Sequence, residues 1–384
     1  MRVGLVIEEW NPEGGGAERW TARFAEHLAH AGHEVHLLAF RAQGAVRAGR
    51  LHLIPDPGSV LGRARGVTAA LRPGRLPPMV WHDGGVGWSG HVLHPHTGSG
   101  LHSLQREITS HVAWRRLRAT ISPRLNSRRM QMRVVEHLAA ARARRVIALS
   151  RHLGSFLAQR HRLPPERLRV VPNGVDNARF APERLAPLRG PARAALGLGD
   201  ETFLGLMVAH NLRLKGLDTA LLALARLRAA GIDVRLAVAG GLPDRPWSGL
   251  AARLGVAEQV AFLGPVAAME PLYAAADAML HPTRWDACSL ATIEGMAAGL
   301  PVVTTRLNGA SDLIAHGSSG FVLDRPDDDS GLAETLALLL RDPARRRAIG
   351  AAARVAALRA DFADNFRCIE AILAEVAQEL RLDQ

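Results

Sequence analysis

The sequence predicts an α/β protein of two doubly wound domains, each a parallel sheet covered by helices. Three observations carry this. The chain has 384 residues, more than one ordinary hydrophobic core supports, so two domains are expected. Short apolar runs alternate with helical segments through both halves, the pattern of parallel strands joined by crossover helices. A stretch rich in turn residues, "PNGVDNARFAPE" at 172–183, separates the two series.

The first series opens with "RVGLVIEEW", a buried strand. The glycine loop "NPEGGGAER" leads into a helix through "WTARFAEHLAHAG", and Gly32 ends it. "HEVHLLAF" is the second strand, and "MVWH", a basic segment at 114–145, "RVIALS" and "LRVVP" follow. After a connection rich in Pro, Arg and Ala the second series begins with the strand "FLGLMVAH" and the helix "GLDTALLALARLRAAG". "DVRLAVAG", "VAFLG", "DAMLHP" and "LPVVTT" are further strands, with "AMEPLYAAA" and "SLATIEGMAAG" as helices. The end of the chain, from about 329, is helical and rich in alanine. The expected domains are 1–178, 179–360 and a C-terminal helix at 361–384 returning to the first domain. Domains of this kind bind ligands at the carboxyl ends of their strands. A cleft between them is expected, with 172–183 and the C-terminal helix as its hinge.

Composition narrows the class. An apolar fraction of 48% and a charged fraction of 22% mark a globular chain. No run of 18 apolar residues occurs, so no membrane-spanning helix is expected. The start of the chain reads as a strand and its loop rather than a signal peptide. Cys288 and Cys368 show no metal-ligand spacing and fit a reduced, cytoplasmic setting. A net charge of +12 with a pI near 11.3 points to an anionic partner: nucleic acid, anionic lipid or a phosphorylated substrate. Of the 48 Lys and Arg residues one alone is lysine, Lys215, in "VAHNLRLKGLD". A general bias towards arginine explains the rest but not the exception.

The sharpest motif is "HPTRWDACSLATIEGMAAGLPVVTT" at 281–305. With a helix starting near Ser289, Asp286 lies in the loop before it and Glu294 in its second turn. The loop amides and the helix N-terminus form a phosphate site, and the two carboxylates can accept hydrogen bonds from sugar hydroxyls. The bland alternative is a capped helix with a solvated glutamate.

This stretch resembles the signature of the retaining glycosyltransferases of the GT-B fold, the large group-one family: Glu, seven residues, Glu, then a helix of small residues and "GLPVV". "GGGAER", "PNGVD" and "LKG" fit the same family, and within it the chain looks nearest to the bacterial lipopolysaccharide-core glucosyltransferases. The resemblance departs at one position, where the first acid is Asp286. It implies two Rossmann-like domains. Glu294 would bond the ribose of a nucleotide sugar and Asp286 the hydroxyls of the transferred sugar. The amides around Ala287, Cys288, Ser289 and Leu290 would hold sugar and diphosphate. Cys288 is then a small loop residue, not a nucleophile. Gly15 and Gly16 would let the backbone approach the donor phosphates or the acceptor. Their loop is not a dinucleotide fingerprint, since G-x-G-x-x-G is absent.

Arg213 and Lys215 follow a strand and precede a helix, at a carboxyl-end loop. A helix end contributes about 0.3–1 kcal/mol to anion binding, and hydrogen bonds to charged groups about 1.5–3 each. Two cations there would outweigh the helix end in holding a leaving diphosphate. His91 matches, by sequence position, a polar family residue beside the reacting sugar, and His94 and His96 are its rivals. No spacing among the histidines of 82–102 favours a metal. "RPDDDSG" at 325–331 reads as acids at a helix start, so neither metal nor other cofactor is expected.

The segment 114–145 has ten arginines and one acid, Glu136, interleaved with Trp114, Leu117, Ile121, Leu125, Met130, Met132 and Val135. It suits an anionic membrane face or a phosphorylated, lipid-linked acceptor, or else a core helix with a solvated basic face. No nucleic-acid recognition module accompanies it. The sequence therefore predicts a metal-independent hexosyltransferase, peripheral on the inner face of the cytoplasmic membrane. Its donor would be a nucleotide sugar, UDP-glucose before GDP-mannose, and its acceptor lipid-linked or of lipopolysaccharide type. A nucleotide-sugar epimerase and a non-catalytic protein binding anionic surfaces are the alternatives.

Overall fold

The computed structural model describes residues 1–110, 113–241 and 245–381, with the side chains of 113–115 and 245 left out. The chain forms two compact units, Met1–Pro172 with Ala363–Gln384, and Asn173–Phe362. The boundaries fall earlier and later than the expected 178/179 and 360/361. The cause is local pairing: the Val175 N–H donates to Ala360 O at 2.8 Å, and the Phe362 N–H to Val175 O at 3.2 Å. "NGVD" therefore belongs with the second unit.

The first unit contains β1 (Arg2–Val6), β2 (Glu9–Trp10), α1 (Gly16–His30), β3 (Glu34–Ala39), β4 (Arg41–Ala42), β5 (Arg50–Leu53) and α2 (Val60–Ala70). It continues through β6 (Val80–Asp83), β7 (Val92–Leu93), α3 (Gly100–Thr109), α4 (Ala113–Ile121), α5 (Pro123–Arg142), β8 (Arg145–Ala148), α6 (Arg151–His161) and β9 (Leu168–Val170). Its main sheet has the order β5-β3-β1-β6-β7-β8-β9, parallel throughout. Trp20, Phe24 and Leu28 of α1 recur at helical spacing and are buried.

The second unit contains α7 (Pro182–Ala195), β10 (Phe203–Ala209), α8 (Leu217–Ala229), β11 (Val234–Gly240), α9 (Arg245–Arg253), β12 (Val260–Gly264) and α10 (Glu270–Ala275). It goes on with β13 (Ala278–His281), α11 (Leu290–Ala297), β14 (Val302–Thr305), β15 (Phe321–Leu323), α12 (Asp329–Arg341) and α13 (Pro343–Ala357). Its sheet has the order β12-β11-β10-β13-β14-β15, again parallel. Leu217, Leu221 and Leu224 of α8 share one core with Met207, Leu236 and Leu280 of the sheet. Each such side chain contributes about 1.5–3 kcal/mol on burial. The acids of 325–331 serve a helix start: Asp328 accepts from the Gly331 N–H at 2.9 Å and caps α12.

The last helix, α14 (Phe362–Glu379), lies almost wholly in the first unit. Asn365 accepts from the Trp20 indole at 2.9 Å, and the Glu370 carboxylate bridges His27 and His33 at 2.8 Å each. The basic segment is not one core helix. Ser122 caps α5 and Pro123 takes its first position, so the helix breaks there. Leu117 and Ile121 are 63% and 67% exposed. The Trp114 side chain lies outside the described residues. No helix among the described residues is long and apolar enough to cross a membrane.

Candidate active site

In the second sheet the chain runs β10, β11, β12 outward on one side, then returns to start β13 beside β10. That reversal opens a crevice at the carboxyl ends of the two central strands. The loops that leave those strands, 210–216 and 282–289, carry six of the predicted site residues.

The two loops are locked together. Arg284 donates to both oxygens of Asp218 at 2.9 and 2.8 Å and to Arg213 O at 2.9 Å. Thr283 donates through its hydroxyl to Leu214 O at 3.1 Å. Gly216 sits at φ +80°, where a Cβ would lie 2.1 Å from Pro282 O. Glycine is thus required there both by conformation and by the close approach of the neighbouring loop.

Lys215 Nζ donates to Asp286 Oδ2 at 2.6 Å and to Trp285 O at 3.2 Å. His281 Nε2 shares the same carboxylate oxygen at 3.2 Å. Burial alone would raise the Asp286 pKa, but the Lys215 charge and the His281 hydrogen bond override it and hold the group well below the usual carboxylate range. Burial keeps His281 neutral. The aspartate, one methylene shorter than the family's glutamate, ends on the lysine. The sequence reading gave Lys215 to the phosphate and Asp286 to the sugar; in the chain itself they hold each other.

Just beyond, α11 begins. Ser289 caps it, accepting from the Thr292 N–H at 3.2 Å, so the helix starts where the sequence placed it. Among the described residues the amides of Ala287, Cys288, Leu290 and Ala291 have no protein acceptor. Free amides at a helix N-terminus are an anion site. Asn308 holds the loop in shape. Its Oδ1 accepts from the Ser289 N–H at 3.2 Å, and its Nδ2 donates to Thr292 and Thr304 at 2.9 and 3.0 Å. Asn173 donates to Cys288 O at 2.8 Å. Burial pushes the Cys288 thiol up to about 12, so it stays protonated and inert.

Glu294 lies in the second turn of α11, and the Tyr273 hydroxyl donates to its Oε2 at 2.7 Å. Tyr273, on α10, is the only tyrosine of the chain. Arg213 is placed differently from Lys215: its guanidinium lies 4.9 Å above the Trp247 ring on α9. Tyr273, His281, Asn308 and Arg284 were missed as site residues. The single tyrosine was the one signal that the sequence offered for any of them.

In the first unit the reversal falls between β1 and β6. Here the structure corrects one expectation. His91 precedes β7, whose first residue Val92 pairs with His82, the third residue of β6, so it lies within the sheet, short of the ligand-binding edge. Its Nδ1 accepts from the Trp81 N–H at 3.1 Å, which fixes the ring to the neighbouring strand. The rivals His94 and His96 follow β7 and stand at the carboxyl edge. They join His82 in a cluster against Trp20, with His96 ring to indole at 4.4 Å and His82 Nε2 to His94 Nδ1 at 3.0 Å. Burial brings His82 down to about 3 and His96 to about 4, and holds His94 low as well. The rings are therefore neutral at pH 7. Ring nitrogens of the three lie within 4.8 Å of one another, the one group among the described residues with the spacing to hold a metal ion. Sequence spacing had not brought them together.

A cavity of about 440 Å³ opens at the same edge, lined by Glu8, Arg63, Pro95, Leu104, Met132 and Glu136 among others. Gly15 caps α1 at φ −69°, a conformation open to any residue. What glycine supplies there is the absence of a side chain. Gly16 is the first residue of the helix.

Two such units, the second with its basic loop facing an acid-flanked helix start, define the GT-B class of glycosyltransferases. Residues 189–356 match the family described as glycosyl transferases group 1, and residues 14–179 match Glycosyltransferase Family 4. The second unit thus belongs with the group 1 glycosyltransferases and the first with Glycosyltransferase Family 4, and the chain has the GT-B fold. It is 34% identical over 230 residues to D-inositol 3-phosphate glycosyltransferase of Segniliparus rotundus, covering 58% of this chain and 50% of that one. It is 33% identical over 173 residues to the lipopolysaccharide glucosyltransferase WaaG of Escherichia coli, covering 45% of this chain and 46% of the relative. The chain thus spans about half the length of these curated relatives. Its fold resembles the crystal structure of WaaG with a TM-score of 0.78 at 24% identity, covering 97% of this chain and 99% of that one.

Proposed function

We propose that this chain is a retaining hexosyltransferase that moves glucose from UDP-glucose to a lipid-linked or lipopolysaccharide-type acceptor. The observation that carries the reading is the second unit's site, where Lys215, Asp286 and the free amides of Ala287, Cys288, Leu290 and Ala291 surround one helix start. A diphosphate seated there draws Lys215 from Asp286, and the freed carboxylate turns to the sugar hydroxyls. Glu294, already oriented by Tyr273, accepts from the ribose. The bond from the anomeric carbon to the phosphate oxygen breaks, and the bond to the acceptor oxygen forms on the same face. The acceptor proton passes to the departing phosphate oxygen. Lys215, the amides and Arg213 stabilise the charge that develops on that group. No side chain attacks, in keeping with the inert Cys288, and the step needs no metal. The cavity of the first unit is the acceptor pocket of this reading.

The relative in Escherichia coli is named a lipopolysaccharide glucosyltransferase, which supports glucose as the sugar. The exposed Leu117, Ile121 and Met130 among the arginines of 114–145 suit an anionic membrane surface on the cytoplasmic side. Thermal shift with a panel of nucleotide sugars tests the reading. UDP-glucose at about 100 times its dissociation constant adds about 2.7 kcal/mol to the stability. A response to GDP-mannose alone moves the donor. A flat response to every nucleotide sugar and nucleoside diphosphate sinks the function. Release of free sugar or an epimer without acceptor would favour an epimerase.

A further inference from the structure

The helices α3, α4 and α5 of the first unit line a second, open cavity of about 440 Å³. Its lining is His102, Gln105, Arg106, Ile108, Thr109, Arg116, Thr120 and Arg129, with no carboxylate. Helix geometry explains the convergence. His102, Gln105, Arg106 and Thr109 are spaced i, i+3, i+4 and i+7, one face of α3. Arg116 and Thr120 are one turn apart on α4. The opposite face of α3 carries Gly100, Ser103, Leu104 and Glu107 into the first cavity, so the acid of that helix serves a different space. Between Ile108 and Val135 the chain has seven arginines and no acid.

The three guanidinium groups are not used up by the fold. Arg106 Nε donates to His102 Nε2 at 3.1 Å, a neutral partner. Arg129 donates through Nη1 to Asn126 Oδ1 at 2.9 Å, but its Nε is sealed from solvent without a hydrogen-bond partner. A buried unpaired donor of this kind is costly unless a ligand or water completes it. Arg116 has no side-chain partner among the described residues. Burial, with the charges of Arg106, His152 and Arg160, brings the His102 ring down to about 4.

We propose that this cavity is a phosphate-binding site, in which Arg106, Arg116 and Arg129 grip one phosphate group while the Gln105 amide donates to a remaining oxygen. Guanidinium forks match phosphate geometry, and the absence of a carboxylate leaves an anion as the only charge-compensating occupant. The phosphate belongs either to an anionic lipid headgroup or to a soluble phosphorylated compound. The site does not depend on the glycosyl-transfer reading.

The test compares the full chain with two double variants. Arg116→Ala/Arg129→Ala removes two cavity arginines. Arg124→Ala/Arg133→Ala removes the same charge from exposed positions of the same segment outside the cavity. Inorganic pyrophosphate is titrated calorimetrically into each, and equal melting temperatures confirm equal folding. Arg116→Ala alone, at an exposed position, serves if the double variant melts early. The expected result is binding at least about tenfold weaker in the cavity variant and unchanged in the other. Phosphate bound elsewhere contributes alike to all proteins, so failure here leaves the proposed donor site untouched. Sedimentation with phosphatidylcholine vesicles, with and without phosphatidic acid, identifies the source. If only the cavity variant loses the phosphatidic acid vesicles, and pyrophosphate releases the rest, the headgroup supplies the phosphate. If both variants sediment alike while pyrophosphate still tells them apart, a soluble phosphate does. Equal weakening of pyrophosphate binding in both variants, or none in either, overturns the site.

Discussion

The two units are built alike and furnished differently. Each has a parallel sheet whose strand order reverses beside its first strand, and each gathers its polar residues at the carboxyl edge of that reversal. In the second unit the edge carries the ion pairs of Lys215 with Asp286 and Arg284 with Asp218, beside the free amides of Ala287, Cys288, Leu290 and Ala291. In the first it carries the neutral imidazoles of His82, His94 and His96, packed on Trp20. The fold sets the place of a site and leaves its chemistry to the edge residues. A charged edge suits a diphosphate. The neutral imidazole cluster within the first edge suits an acceptor whose hydroxyls must be oriented without being ionised.

The charged edge breaks most completely at Lys215. Lys215→Ala should lose turnover by about a hundredfold or more, read as the initial rate of nucleotide release. Lys215→Arg should fall nearly as far. The slim ammonium reaches between Trp285 O and Asp286, and the neighbouring Gly216 is pressed on Pro282, so a planar guanidinium has no matching space. Near-normal turnover in Lys215→Arg would mean that charge alone matters there. Next in size is Glu294→Gln. The loss of a charge-assisted hydrogen bond of about 1.5–3 kcal/mol should raise the donor KM by about 10- to 100-fold. Tyr273→Phe, which only loosens the same carboxylate, should raise it a few-fold. Equal effects of the two would show that Glu294 makes no donor contact.

Much of this was legible beforehand because it depends on local patterns. The alternation of strands and helices, the helix start at Ser289 and the second-turn position of Glu294 follow from periodicity and capping. What was not legible depends on partners distant in the chain. Lys215 meets Asp286 across 71 positions, and nothing in either stretch says that the nearest anion to the lysine is another site residue. His91 was chosen over His94 and His96 by position. Whether each stands at the carboxyl edge or within the sheet depends on where the two-residue strand β7 begins, finer than hydrophobic pattern resolves. The break at Ser122–Pro123 was readable from its capping residue and proline, whereas the exposure of Leu117 and Ile121 was not.

Acid distinguishes the two edges. An unfolded histidine takes a proton below about pH 6.5, whereas His82 in the folded chain stays neutral down to about 3. The unfolded state therefore binds more protons as pH falls through that window, and stability drops with it. Above the window nothing is lost. For His82 alone the change from pH 7 to pH 5 is about 2 kcal/mol. Asp286, also held low, loses stability in the same direction but only at lower pH, so its pair with Lys215 is intact throughout the window from pH 7 to pH 5. Urea unfolding followed by tryptophan fluorescence should show the acid loss, and His82→Phe should remove about 2 kcal/mol of it. A wild-type midpoint unmoved between pH 7 and pH 5 would mean that the imidazoles of the first edge are not held neutral.

The smallest effect is expected at Cys288, in the middle of the charged edge. Its side chain is buried and its thiol is pushed up to about 12, while only its backbone faces the anion site. Cys368 is exposed. Iodoacetamide at neutral pH should therefore label Cys368 in the folded chain and spare Cys288, as peptide mass mapping would show. Cys288→Ala keeps the amide and the carbonyl that Asn173 holds, so turnover should stay within about twofold of wild type. A large loss would mean that the side chain, not the loop backbone, supports the donor. The charged edge would then owe its action to more than the lysine, the carboxylates and the amides.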